Sequence, residues 1–130
     1  AQQLRLKGAT LSEKAEAELL LDLLMRQKAI TSQTDGIDDY ICEIGQPAIE
    51  PVMARLKEMQ VNPKSYENTM GYSELFAAAA VLDGARALPI LKHFEKYPGQ
   101  WIPYYARMRH MRLEVELRWR KRLPPVGFYN

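Results

Sequence analysis

Apolar residues return every three or four positions along most of this sequence, and strand-like alternation is scarce. That spacing predicts amphipathic helices. Thr10 followed by Glu13 has the form of a capping box and predicts a first helix opening at Leu11. Its apolar stripe would be Leu11, Ala15, Leu19, Leu20, Leu23 and Leu24, running out near Ile30. Turn formers from Thr31 to Gly36 predict a loop, and Ile37 to Ile44 a short helix with Ile37, Tyr40, Ile41 and Ile44 on one side. Gly45 ends it as a residue free to leave the ordinary backbone regions.

Pro47 suits the first turn of the next helix, where its missing N–H costs nothing. Ile49, Val52, Met53, Leu56 and Met59 give that helix one buried face, and Asn62-Pro63-Lys64 breaks it. A further helix is expected from Ser65 or Asn68 to Leu82, with Ala77 to Ala80 as a small-residue patch for close helix approach. Asp83-Gly84 stops it, Ala85 to Tyr97 repeats the amphipathic pattern, and Pro98-Gly99 turns the chain. The last helix runs from about Trp101 to Arg122, ahead of Pro124-Pro125.

Two of these stretches coincide when shifted by 38 residues: Ile44 to Pro51 lies over Leu82 to Pro89. In each, an aliphatic residue closes a helix, a glycine-containing turn follows, and a proline stands seven residues on. The same shift carries Val52-Met53 onto Ile90-Leu91, Leu56 onto Phe94, Met59 onto Tyr97, and Ser65–Leu82 onto Pro103–Arg120. Helix pairs of this kind bury their apolar faces only by stacking on neighbours.

Ile44-Gly45-Gln46-Pro47 with Pro51, and Ala87-Leu88-Pro89-Ile90-Leu91, resemble the short HEAT-like repeats found in phycobilisome-linker lyases and in many bacterial proteins. The resemblance covers about Ile37 to Tyr97, and Gln46 stands where an aspartate is usual. It implies a short right-handed α-solenoid and brings no catalytic residue with it. The expectation is one all-α domain over 1–130 of about six helices in stacked antiparallel pairs. An N-terminal helix spans 11–30, repeat units span 37–60 and 65–97, a basic helix spans 101–122, and a tail occupies 123–130.

A chain of 130 residues, 47% hydrophobic and 26% charged, has the make-up of one globular domain. The richest apolar run, Leu19 to Met25, is interrupted by Asp22, so no membrane span is expected. Ala1-Gln2-Gln3 suits the residues behind a small-residue cleavage site and leans the expectation towards an exported protein; a trimmed fragment fits equally.

Candidate chemistry is sparse. One cysteine, Cys42, sits beside Glu43 and a turn after Asp38 and Asp39, surroundings that raise a thiol pKa and suit a buried filler rather than a nucleophile. Asp35, Asp38, Asp39 and Glu43 read as complements to a helix N-terminus, with calcium binding a weaker alternative. His93 and His110 stand alone, without a second histidine at ligand spacing, so neither a metal nor a cofactor is expected.

Charge changes this picture. The net charge is +2, yet Trp101 to Arg122 carries seven basic residues against Glu114 and Glu116, leaving the remainder of the chain acidic. Tyr104, Met108, Met111, Val115 and Trp119 form one stripe of that helix and are expected in the core. Trp101, Tyr105, Arg109, Arg112 and Arg120 are the candidate binding residues, since arginine among aromatics serves protein hot spots and anionic ligands alike. A non-catalytic scaffold binding a protein or peptide is the leading expectation. Nucleic-acid or polyanion binding comes second. An enzyme of the lyase or glycosylase kind, architectures that some HEAT-like solenoids share, comes third.

Overall fold

The computed structural model describes residues 12–26, 36–63 and 71–122, and among them the regular structure is all helical, with six helices and no strand. The helices are α1 (Glu13–Met25), α2 (Ile37–Ile44), α3 (Gln46–Val61), α4 (Tyr72–Leu82), α5 (Gly84–Phe94) and α6 (Trp101–Arg122). Their boundaries follow from local chemistry. Ser12 caps α1: its side chain accepts the Ala15 N–H, and Glu13 and Glu16 complement the positive end of the helix. The expected opening at Thr10 and Leu11 lies outside the described residues, and α1 ends at Met25 rather than near Ile30. Its buried line is Ala17, Leu20, Leu21 and Leu24, while Leu19 and Leu23 are exposed, a correction to the expected stripe. The cause is tertiary: α1 packs on α2, α3 and α4 at once, and that corner receives the Leu20–Leu21–Leu24 side.

A single residue separates α2 from α3, and it is Gly45, at φ 76° and ψ −133°. A side chain there would be strained, whereas glycine reverses the chain with no cost in sterics. Tyr40 is exposed, against expectation; Ile37 and Ile41 carry the burial of α2. Asp83 stands at the equivalent place between α4 and α5. Its N–H closes α4 on the Ala79 carbonyl, and its carboxylate accepts the Arg86 N–H to open α5. The helix boundaries therefore recur at the 38-residue spacing. Ile44 and Leu82 end helices, Gln46 and Gly84 begin them, and Pro51 and Pro89 both occupy the sixth helical position.

Packing runs from neighbour to neighbour: α1 lies on α2 and α3, α2 and α3 on α4, α4 on α5 and α6, and α5 on α6. One core threads all six helices, with Ile37, Leu75 and Leu113, spaced 38 residues apart, buried in α2, α4 and α6. Aromatic rings fill its wider part: Phe76 and Phe94 lie 5.2 Å apart between centroids, and Phe94 and Tyr97 lie 4.8 Å apart. The Tyr97 hydroxyl donates to the Met59 and Gln60 carbonyls at 3.2 and 3.1 Å, serving two otherwise orphaned acceptors in the last turn of α3. Gly71 opens α4 where no larger residue fits, since a Cβ there would lie 2.2 Å from the Leu24 carbonyl oxygen. Polar ties stitch the helices at the rim, with Arg55 on Asp22 and Arg86 on Glu50. No helix among the described residues is long and apolar enough to cross a membrane.

Candidate docking face on the last helix

α6 carries two apolar stripes, and its rotation decides which one is core. The inner stripe is Ile102, Tyr105, Ala106, Leu113 and Leu117, of which Ala106 and Leu113 are fully buried. The outer stripe is Trp101, Tyr104, Met108, Met111, Val115 and Trp119, and every one of these side chains is between 44% and 56% exposed. This reverses the expectation that Tyr104, Met108, Met111, Val115 and Trp119 belong to the core.

Two features hold the helix in this rotation. Leu113 lies close against the start of α5: a Cβ on Gly84 would come within 2.9 Å of a Leu113 methyl, so glycine at 84 permits this approach. Beside it, polar groups fix the register. His110 Nδ1 lies 3.2 Å from both oxygens of Glu95, its Nε2 is 3.0 Å from Glu114, and Glu114 also reaches Lys92 at 3.5 Å. Burial works against the charge on His110, but the Glu114 and Glu95 carboxylates outweigh it and raise its pKa above the ordinary value. Glu114 is held below the usual carboxylate range by the same histidine.

The five residues expected to bind divide by depth. Trp101, Arg112 and Arg120 are exposed. Tyr105 is half-buried, packed 5.8 Å from the Tyr72 ring, and so anchors α6 to α4. Arg109 is also half-buried; burial first, and then the neighbouring Arg112, lower its pKa, against the pull of Glu116 and Asp38. It stays charged, and it is committed to the inner side. Arg112 lies 2.9 Å from Glu116 one turn on, an exposed pair of small energetic weight.

Sequence reasoning overlooked the outer stripe as a surface, together with Arg107 and Arg118 beside it. Both are exposed, and neither they nor Arg120 form an ion pair among the described residues. A signal was present. Ile102, Ala106, Leu113 and Leu117 make a second apolar stripe at helical spacing, interrupted by Arg109 and His110, that can serve as the core side in place of the tryptophans and methionines. At its start the outer stripe is braced by rings, with Trp101 6.2 Å from Tyr104 and Tyr104 5.3 Å from Tyr105.

Elsewhere the described residues offer little reactive chemistry. The Cys42 thiol is pushed up to about 11, by burial first and then by Asp38 and Asp39, which leaves it a protonated and poor nucleophile. No three histidine, cysteine, aspartate or glutamate side chains among the described residues gather as metal ligands would. Comparison with family models, curated proteins and solved structures gives no match to this chain.

Proposed function

We propose that this chain is a non-catalytic binding module that engages a protein or peptide partner along the outer stripe of α6. One observation carries the reading: six large apolar side chains, two of them tryptophan, stand exposed in line on one helix. Contiguous exposed apolar surface of this kind, rimmed by polar groups, marks interaction sites on soluble domains. Tryptophan, tyrosine, methionine and arginine are also the residues enriched at protein interfaces. The architecture proposed with it is a short HEAT-like solenoid, with α2–α3 and α4–α5 as repeat units and α6 as the first helix of a third. The recurring helix boundaries and the neighbour-to-neighbour packing support that reading.

A photo-crosslinking residue placed at Met108, with a second variant carrying it at exposed Val61 on α3, tests the function. Defined adducts with cellular proteins from Met108 and none from Val61 are expected. Equal labelling from both positions, or none from Met108, would overturn the proposal.

A second reading, nucleic-acid or polyanion binding, is favoured by Arg118 and Arg120 on either side of Trp119 and Arg107 three turns earlier, all exposed and without an ion pair among the described residues. It predicts oligonucleotide affinity that falls steeply with salt, by roughly 0.7 to 0.9 logarithmic units of slope per phosphate contacted. A protein partner predicts a shallower salt dependence and a defined stoichiometry.

A further inference from the structure

From the shape and charge of the α6 face, we infer that its partner is an acidic amphipathic helix lying along the outer stripe. This rests on the proposed docking function and adds the chemistry of the occupant.

Shape comes first. Trp101, Tyr104, Met108, Met111, Val115 and Trp119 are spaced by three, four, three, four and four residues, the seam periodicity of paired helices. At about 1.5 Å per residue the seam is about 27 Å long. At about 100° per residue it covers only about 80° of the helix circumference. A band that narrow matches the ridge of another helix better than the broad apolar face that a lipid surface selects.

Charge then separates the helices that could lie there. Arg107 and Arg118 line one edge of the seam and Arg112 lies along the other, with the pair to Glu116 as their only acidic relief among the described residues. Glu114, the other acid of the helix, is drawn to His110 and Lys92 on the α5 side. A second copy of α6 would meet this rim badly. Laid parallel, it sets Arg107 against Arg112 of the other copy, because facing edge positions are five residues apart in such pairs. Laid antiparallel, it sets the Arg107–Arg118 edge against itself. Like charges across a helix pair select against that pairing, and glutamate or aspartate at the partner's edges removes the conflict. The preferred occupant therefore has apolar residues at three–four spacing and acids on both flanks.

The test uses the full chain and a fluorescently labelled three-heptad peptide with leucine at the seam positions and glutamate at the edges. A twin peptide carries lysine in place of every glutamate. Anisotropy titrations are expected to show at least about tenfold tighter binding of the acidic peptide, a gap that narrows as salt is added. Arg107→Glu with Arg118→Glu should reverse the preference. Met108→Gln with Met111→Gln should abolish binding of both peptides, with circular dichroism confirming an unchanged fold. Equal binding of the two peptides, lost in the Met108/Met111 variant, would overturn the acidic specificity and leave the docking face standing. No binding of either peptide, together with no Met108 crosslinks, would end both. Sedimentation showing a dimer that dissociates in the Met108/Met111 variant would overturn the inference in favour of self-association. Co-sedimentation with phosphatidylserine vesicles, lost in that variant while the peptide fails to bind, would overturn it in favour of a lipid surface.

Discussion

α4 and α6 occupy equivalent places 38 residues apart, yet they treat their outer positions differently. Where α4 has Ser73, Ala77 and Val81, α6 has Met111, Val115 and Trp119. Their inner positions agree: Leu75 matches Leu113, and Ala79 matches Leu117. α4 is covered on several sides, by α1, α2 and α3 as well as α5 and α6, whereas α6 packs on α4 and α5. The helix with less cover carries the larger apolar side chains on its outer side. Packing demands do not explain that enlargement, since the core closes on Ala106 and Leu113 without it. The proposed docking role rests on that outward stripe, because contiguous exposed apolar surface of this size is common at interaction sites.

The sharpest way to break this comparison is to cut the inner stripe. Leu113→Ala should lower unfolding free energy by about 2 to 5 kcal/mol in urea titrations, the cost of removing buried methyl groups from a packed site. A change below about 0.5 kcal/mol would mean that Leu113 is not core. Next in size is Gly71→Ala at the start of α4, where the added methyl meets the Leu24 carbonyl; a loss of about 1 to 3 kcal/mol is expected by the same measurement.

A smaller effect is pH-dependent and concerns how α6 is held. The folded-state pKa of His110 is raised by Glu114 and Glu95, so its contribution is complete below the unfolded value of about 6.5 and fades as pH rises through the folded value. The stability gap between the wild-type chain and His110→Gln should therefore be larger at pH 5.5 than at pH 8.5. An equal or inverted gap would sink the assignment of the histidine as a charged clamp.

The smallest stability effect is the most informative about function. Transplanting the outer positions of α4 onto α6, as Met111→Ser, Val115→Ala and Trp119→Val together, should change stability by no more than about 0.5 kcal/mol per site while abolishing partner crosslinking from Met108. A collapse of the fold would return the stripe to the core.

Much of the helical architecture was legible in the residues. The α2–α3 and α4–α5 turns, the sixth-position prolines and both ends of α6 follow from glycine, aspartate, proline and the apolar spacing, because each acts locally. What escaped was the rotation of helices that carry two stripes. On α1, Leu19 and Leu23 continue an apolar row as regular as Leu20 and Leu24, and on α6 the aromatic row outweighs the aliphatic one. Periodicity states that a helix has an apolar side; which of two sides faces inward is settled by the close approach its neighbours permit and the polar groups beside it. Those lie on and just after α5, at Gly84, Lys92 and Glu95. The candidate site was half legible for the same reason, with Trp101, Arg112 and Arg120 on the surface and Tyr105 and Arg109 turned inward.

The outer stripe of α6 is surface, and the two tryptophans of the chain, Trp101 and Trp119, both stand on it. Tryptophan emission, excited at wavelengths the seven tyrosines do not absorb, therefore reports on that stripe alone. Acrylamide quenching of the dilute native protein, set beside the same protein in urea, is the most direct measurement. Native emission is expected close in wavelength to that of the unfolded chain and quenched almost as readily, as exposed tryptophans require. Blue-shifted native emission, shielded from acrylamide at every protein concentration, would contradict that exposure.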